Sequence, residues 1–316
     1  MPKTIGLGQS HYILGKSPVG VTTFFLEKAA DKVIREENIH PDAFYGHFLA
    51  PSGIVAARLG KRYHVPSFFA LGESHDTIKQ FGAKKARKEL ADITGVISVS
   101  SALKKWAVDS GVLPEAKIKV FPNGFNENRY MRYDRSVARE RFDFPQDAFI
   151  VGFVGAFNER KGILRVCQAV ERVDGVRLIC AGRGEQEPFG DNCIFKESLP
   201  PEDVPYFNSA ADVFVLPTTN EGCSNAIVEA LACGLPVISS DRPFNDDILS
   251  DDYSIRVDPE DIDEIADAIN LLFTNSALRK KMADAALEKA RELTLSARAT
   301  NILKFMEESI GKRKSI

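Results

Sequence analysis

The chain has no run approaching the roughly 18 consecutive apolar residues that a membrane helix needs. Its first residues, MPKTIGLGQSHYILG, lack a basic stretch followed by a sustained apolar core, so no secretory signal is read there and a cytosolic setting is expected. Cysteine is scarce. The five, Cys167, Cys180, Cys193, Cys223 and Cys233, form no CxxC and no Cys/His cluster, which argues against both a disulfide framework and a zinc site. A net charge of −3 carries no nucleic-acid signal. Short repeats and low-complexity tracts are absent. No DxD dyad stands where a strand would end in a cleft: Asp246-Asp247 and Asp251-Asp252 fall in a turn after the last core strand expected, so no metal is called for.

What is present is ordinary for a soluble globular protein, with 44% hydrophobic and 27% charged residues, and 316 residues suffice for two domains. Residues 1 to 40 resist assignment until a helix expected from about Val21 to Glu37. DAFYGHF then reads as a strand, SGIVAARLGKRYH as a helix capped by Ser52, and PSFFALG as a second strand. The basic helical stretch TIKQFGAKKARKELA leads to the strand GVISVS, the helix SALKKWAVDS and the strand KIKVFPNG, ending at Asn123-Gly124. From Asn126 to Pro145 the pattern turns polar and irregular and reads as an interdomain crossing. A second alternation follows, with strands FIVGFVG, GVRLICAG, DVFVLP and LPVISS, and beyond Asp258 the chain is mostly helical. Alternating strands and helices predict an α/β fold with parallel sheets, and two such halves predict two Rossmann-like domains facing a cleft.

The most informative segment is NEGCSNAIVEALACGLPVISS. The apolar strand DVFVLP runs through a loop into a short helix with Ser224 or Asn225 as N-cap, and Gly234-Leu235-Pro236 stops it after Cys233. The loop sits at the carboxyl end of a parallel strand, where open α/β sheets bind ligands, and the helix start offers N–H groups to an anion such as phosphate. Glu229 emerges from the small-residue side of the helix, beside Ala226, Ala232 and Cys233. A carboxylate in so apolar a helix needs a partner: either a ligand hydroxyl or a nearby Arg or N–H. Spacing alone leaves these two readings level.

The surrounding words separate them. E-G-x-S-N-A-x-x-E-A-L-A-C-G-x-P-V-I resembles the nucleotide-binding motif of retaining GT-B glycosyltransferases of family 4, and VGFVGAFNERKGI, ICAGRGE and AADVFVLPT follow that family's order over residues 40 to 310. The resemblance implies that Glu221 contacts the donor sugar and Glu229 the ribose, that Lys161 meets the diphosphate, and that Gly155, Gly222, Cys223, Ser224 and Asn225 line the donor. The arginine that commonly follows the first glycine is Ala156 here, so Arg160 is the substitute considered. On the acceptor side, His47 in YGHF and Glu73, His75 and Asp76 in GESHD are candidates, with His47 and His75 taken as catalytic-side residues; the plainer reading of each histidine is a structural one.

The resemblance further implies a metal-independent hexosyltransferase without a cofactor, acting on a nucleoside-diphosphate sugar and a saccharide or lipid-linked saccharide acceptor. The basic run Lys84 to Lys88 suggests peripheral contact with the inner face of a membrane, against the plainer reading of a solvated face. The expected domains are 1–135 for the acceptor side, 136–294 for the nucleotide-sugar side, and 295–316 as a helix packing back on the first domain. Only about 40 residues precede DAFYGHF, so the first domain is expected to be shortened and its sheet small, and a protein partner could supply what is missing. Other readings are a nucleotide-sugar-binding partner subunit without transfer activity, or another GT-B enzyme such as an epimerase or a phosphorylase.

Overall fold

The computed structural model describes residues 19–72 and 82–314. The chain divides into two compact units, Met1–Phe121 with Asn301–Ile316, and Pro122–Thr300.

In the first unit four parallel strands, β1 (Phe44–His47), β2 (Ser67–Leu71), β3 (Gly95–Ser98) and β4 (Ile118–Val120), stand in chain order. The β2 and β3 residues are buried throughout, as expected of parallel strands covered on both faces, and this explains their unbroken apolar runs. The helices are α1 (Val19–Glu36), α2 (Ile54–Tyr63), α3 (Ala83–Glu89) and α4 (Ser101–Asp109). Ala30 and Ile34 of α1 pack on Val55 and Leu59 of α2. Arg58 holds Glu89 of α3 through two bonds of 2.8 and 2.7 Å and Glu27 of α1 at 3.0 Å, so one guanidinium ties three helices together.

The expected cap of α2 is a correction. Gly53 is the N-cap, without a side-chain bond, and the Ser52 hydroxyl instead donates to the His47 carbonyl. A turn over Leu49–Gly53 precedes α2 and carries Ser52 away from its first free N–H groups. The last helix, α11 (Leu295–Lys314), enters this unit at Asn301, and its Phe305 packs against Phe68, Ile97 and Phe121.

The second unit holds six parallel strands, β5 (Phe149–Val154), β6 (Val176–Ala181), β7 (Cys193–Glu197), β8 (Val213–Leu216), β9 (Val237–Ser240) and β10 (Ser254–Val257), ordered β10-β9-β8-β5-β6-β7. The two outer strands are absent from the sequence reading. β7 is half-exposed, and β10 carries Arg256, which pairs with Asp246 at 2.6 Å, so neither shows an apolar run. The helices are α5 (Arg135–Arg141), α6 (Ile163–Glu171), α7 (Val204–Ala210), α8 (Asn225–Ala232), α9 (Ile262–Thr274) and α10 (Ser276–Ala290).

The break between units falls at Phe121/Pro122, upstream of the expected 135/136. Residues 122–135 are held to the second unit: Phe125 donates to Leu293 O at 2.9 Å, the Tyr133 ring stacks on Tyr206 at 3.8 Å, and Tyr133 N–H reaches the Ser209 hydroxyl at 3.0 Å. A polar, irregular sequence here marks a strap laid along a domain rather than a linker between two.

Candidate nucleotide-sugar site

In the second unit the chain starts at the sheet's centre with β5, moves outward through β6 and β7, then returns to the other side of β5 with β8. The loops after β5 and β8 therefore part at the switch point where α/β sheets leave a crevice at their carboxyl edge. Lys161 lies on the first loop and Glu221 on the second.

Several local features hold these loops together. Gly155 N–H donates to Ala181 O at 3.0 Å and Phe157 N–H to Arg183 O at 2.9 Å, so the loop after β6 backs the loop after β5. A Cβ on Gly182 would overlap the Gly155 carbonyl oxygen. Gly162, at φ +77°, starts α6 where a Cβ would come within 2.8 Å of Pro217 O. Arg165, one turn into α6, bonds Glu159 O at 2.9 Å and Pro217 O at 3.3 Å, bridging both loops with one guanidinium. Thr219 N–H adds a bond to Arg160 O at 2.9 Å.

This arrangement brings the predicted cations onto the predicted carboxylate. Lys161 Nζ donates to Glu221 Oε1, and Arg160 Nη1 reaches the same oxygen at 2.9 Å and the Asn220 carbonyl at 2.8 Å. The Lys161 and Glu221 side chains are only 13% and 14% exposed, whereas Arg160 is 43% exposed at the rim. Arg160 thus lies beside Lys161 rather than pointing away.

Beyond Glu221, Gly222 and Cys223 are buried, and Ser224 is the N-cap of α8. The Ser224 hydroxyl does not cap: Oγ is buried and has no partner. Asn225 is exposed. Burial pushes the Cys223 thiol up to about 12, and its sulfur accepts from Asn123 N–H at 3.3 Å; it anchors the loop. The Asn123 side-chain amide also donates to Cys223 O at 3.0 Å and Asn225 Oδ1 at 2.8 Å. Gly234, at φ +72°, ends the helix after Cys233 as the sequence predicts.

Glu229 is half-buried on α8, and burial raises its carboxyl above the usual range. The Tyr130 phenol and the Arg129 charge both favour the ionised form. Burial first, and the neighbouring carboxylate second, push the phenol well above its own ordinary value. The foreseen arginine is present in Arg129, and the tyrosine beside it is an addition.

The remaining candidates lie in the first unit. His47 ends β1, exposed, with its ring 4.2 Å from that of Phe48. His75, with Glu73 and Asp76, lies outside the described residues. Among the described residues no cluster of three or more His, Cys, Asp or Glu is suited to a metal, and no helix is long and apolar enough to cross a membrane. Asn123, Tyr130 and Arg165 were missed. A PNG turn marks Asn123, but nothing local marks Tyr130, whose neighbour Glu229 lies far along the chain, or Arg165, which joins nearby Glu159 to distant Pro217.

Residues 134–289 match the family model described as glycosyl transferases group 1. A Bacillus subtilis glycosyltransferase named for teichuronic acid biosynthesis, TuaC, is 25% identical over 265 residues, 82% of this chain and 68% of its own. The lipopolysaccharide core biosynthesis glycosyltransferase LpsE of Rhizobium meliloti is 30% identical over 177 residues, 53% of this chain and 51% of its own. Sucrose-phosphate synthase from Thermosynechococcus elongatus superposes with a TM-score of 0.80 at 19% identity, over 94% of this chain and 80% of that one. Anabaena Alr3699/HepE in complex with UDP gives 0.74 at 19% identity, over 92% and 82%. The chain thus has the GT-B fold of two parallel α/β units, and over residues 134–289 it is similar to the glycosyl transferases group 1 family.

Proposed function

We propose that this protein transfers a sugar, with retention and without a metal, from a nucleoside diphosphate sugar to an acceptor hydroxyl in cell-surface polysaccharide or glycolipid assembly. The observation that carries this reading is the cluster of Lys161, Arg160 and Glu221 across the switch point, beside the free N–H groups at the start of α8. Without ligand, Glu221 neutralises both cations. A diphosphate entering the crevice replaces that carboxylate as their partner and receives the N–H groups of α8. Glu221 is then free to accept hydrogen bonds from sugar hydroxyls, and Glu229 from the ribose. As the glycosidic bond breaks, charge grows on the leaving diphosphate and meets cations already in place. The same phosphate oxygens take the acceptor's proton on the face from which they depart, so no separate general base is assigned.

The setting is supported by relatives named for teichuronic acid and lipopolysaccharide core biosynthesis, and a UDP-linked donor by the UDP complex of a structural neighbour. Contact with an anionic membrane at its cytoplasmic face is part of the proposal. Exposed Lys84, Lys85, Arg87 and Lys88 on α3 accompany Phe24 and Phe25 of α1, which are 50% and 54% exposed. Thermal-shift screening with UDP-, GDP- and ADP-sugars, followed by detection of free nucleoside diphosphate in the presence of saccharide acceptors, tests the function. A donor-dependent shift without turnover on any acceptor would overturn transfer in favour of a binding subunit.

A further inference from the structure

The opening residues of the second unit are bonded to the loop that follows Glu221. Asn123 N–H donates to the Cys223 sulfur at 3.3 Å, and its side-chain Nδ2 donates both to Cys223 O at 3.0 Å and to Asn225 Oδ1 at 2.8 Å. The residues on either side of Asn123 leave it little freedom. Pro122 O accepts from Arg298 Nε at 2.8 Å, and Phe125 bonds Leu293 O and Leu295 N–H at 2.9 Å each. Between them, a Cβ on Gly124 would come within 3.0 Å of Leu293 O. Asn123 therefore projects from a segment fixed on both sides.

Hydrogen-bond chemistry decides which way both amides face. Cys223 O is a carbonyl and only accepts, so the Asn123 group against it is the NH2. The same nitrogen also reaches Asn225, and the atom it meets must be an acceptor, which turns Oδ1 of Asn225 toward Asn123. The NH2 of that planar carboxamide then faces away from Asn123, at an exposed position that is the first residue of α8. Among the described residues no acceptor takes its hydrogens. The reverse orientation would set an amide oxygen, instead of two further donors, beside the free N–H groups at the start of the helix, where it would repel an anion.

We propose that Asn123 is a positioning residue for the donor diphosphate: it holds the Asn225 carboxamide with its NH2 outward, so that Asn225 Nδ2 donates to a phosphate oxygen alongside the N–H groups of α8. The inference rests on the nucleotide-sugar reading of this loop and adds to it a residue outside the loop's own sequence. Asn123 does not touch the ligand; it acts through Asn225 and through the Cys223 carbonyl, which keeps the loop in one shape. An amide already turned to its partner spares the ligand the entropy of ordering it.

The test is calorimetry on the full chain with whichever of UDP, GDP and ADP binds most tightly, beside the matching nucleoside. Asn225→Ala should weaken the diphosphate roughly tenfold and leave the nucleoside unchanged. Asn123→Ala should show the same split, and in the Asn225→Ala background it should cost little more, because the group it orients is gone. A residue that merely braces the strap would weaken both ligands alike and add its whole loss in the double variant; either result would overturn the proposal. The unsubstituted chain gives a measurement independent of how the variants fold. In amide NMR spectra the Asn225 side-chain NH2 signals should move as the diphosphate is added, and NH2 signals that stay in place while the backbone N–H of Asn225 or Ala226 shifts would refute it. If no diphosphate binds, the nucleotide-sugar reading fails and takes this inference with it, whereas binding with additive losses removes the inference alone.

Discussion

Glu229 sits where its charge is least welcome, on a short apolar helix with burial raising its pKa. A carboxyl with a raised folded value binds its proton more tightly in the native state than in the unfolded chain. Its contribution to stability is therefore favourable below the unfolded glutamate value, about 4.3, and is lost as pH rises through the raised folded value. Glu229→Gln should remove that slope and raise the melting temperature near neutral pH while weakening nucleotide binding; melting curves across pH with calorimetry on a free nucleoside diphosphate check both. Tyr130→Phe should shift the proton equilibrium the other way, taking away a hydroxyl that favours the ionised form, and so steepen the fall in stability with rising pH.

Glu221 differs in that its removal frees two cations. Glu221→Gln should leave free diphosphate binding unchanged or tighter, while sugar-donor turnover falls, each lost charged hydrogen bond costing about 1.5–3 kcal/mol. Lys161→Ala should weaken the diphosphate but not the nucleoside, with an effect that shrinks in high salt. Calorimetry with the diphosphate, the nucleoside and the intact donor separates these roles, and equal losses for all three ligands would contradict them.

At the scale of elements, the site depends on loops touching backbone to backbone. Gly182 has no room for a Cβ against the Gly155 carbonyl, so Gly182→Ala must part the loops after β5 and β6. An overpacking cost of about 1–3 kcal/mol is expected in urea unfolding, with a larger proportional loss of nucleotide affinity because Lys161 rides on the displaced loop. Elements also differ in how plainly the sequence shows them. β2, β3, β5, β6, β8 and β9 are buried apolar runs and are legible; β7 and β10 lie at the sheet's edges, where half-exposure lets charged residues enter the strand and erases the pattern. The end of α8 is legible because Gly234 adopts a conformation few other residues tolerate. The cap of α2 is not, since the turn before it, not the serine's chemistry, decides where the hydroxyl goes.

For the whole molecule, the final helix adds its residues from Asn301 onward to the first unit, with Phe305 in a core beside Phe68, Ile97 and Phe121. Phe305→Ala should cost that unit about 3–5 kcal/mol and leave the nucleotide affinity of the second unit intact. Calorimetric scans are expected to show the substitution moving one transition and UDP moving the other, since a ligand stabilises only the unit that binds it. A single transition moved equally by both would show the units unfolding together.

What the sequence determined by itself is local: strand runs, the loop-to-helix passage carrying Glu221 and Glu229, the glycine stop and the lysine after a strand. Each rests on interactions within a turn or two of chain, so neighbouring residues write the rule in full. Tertiary structure alone decided the partners. Lys161 meets Glu221 across 60 residues and Asn123 meets Cys223 across 100, while Tyr130 stands beside Glu229 from the strap. No periodicity encodes such pairs, because they form only when the order β10-β9-β8-β5-β6-β7 lays the β5 and β8 loops side by side and draws the strap at 122–135 along the same unit.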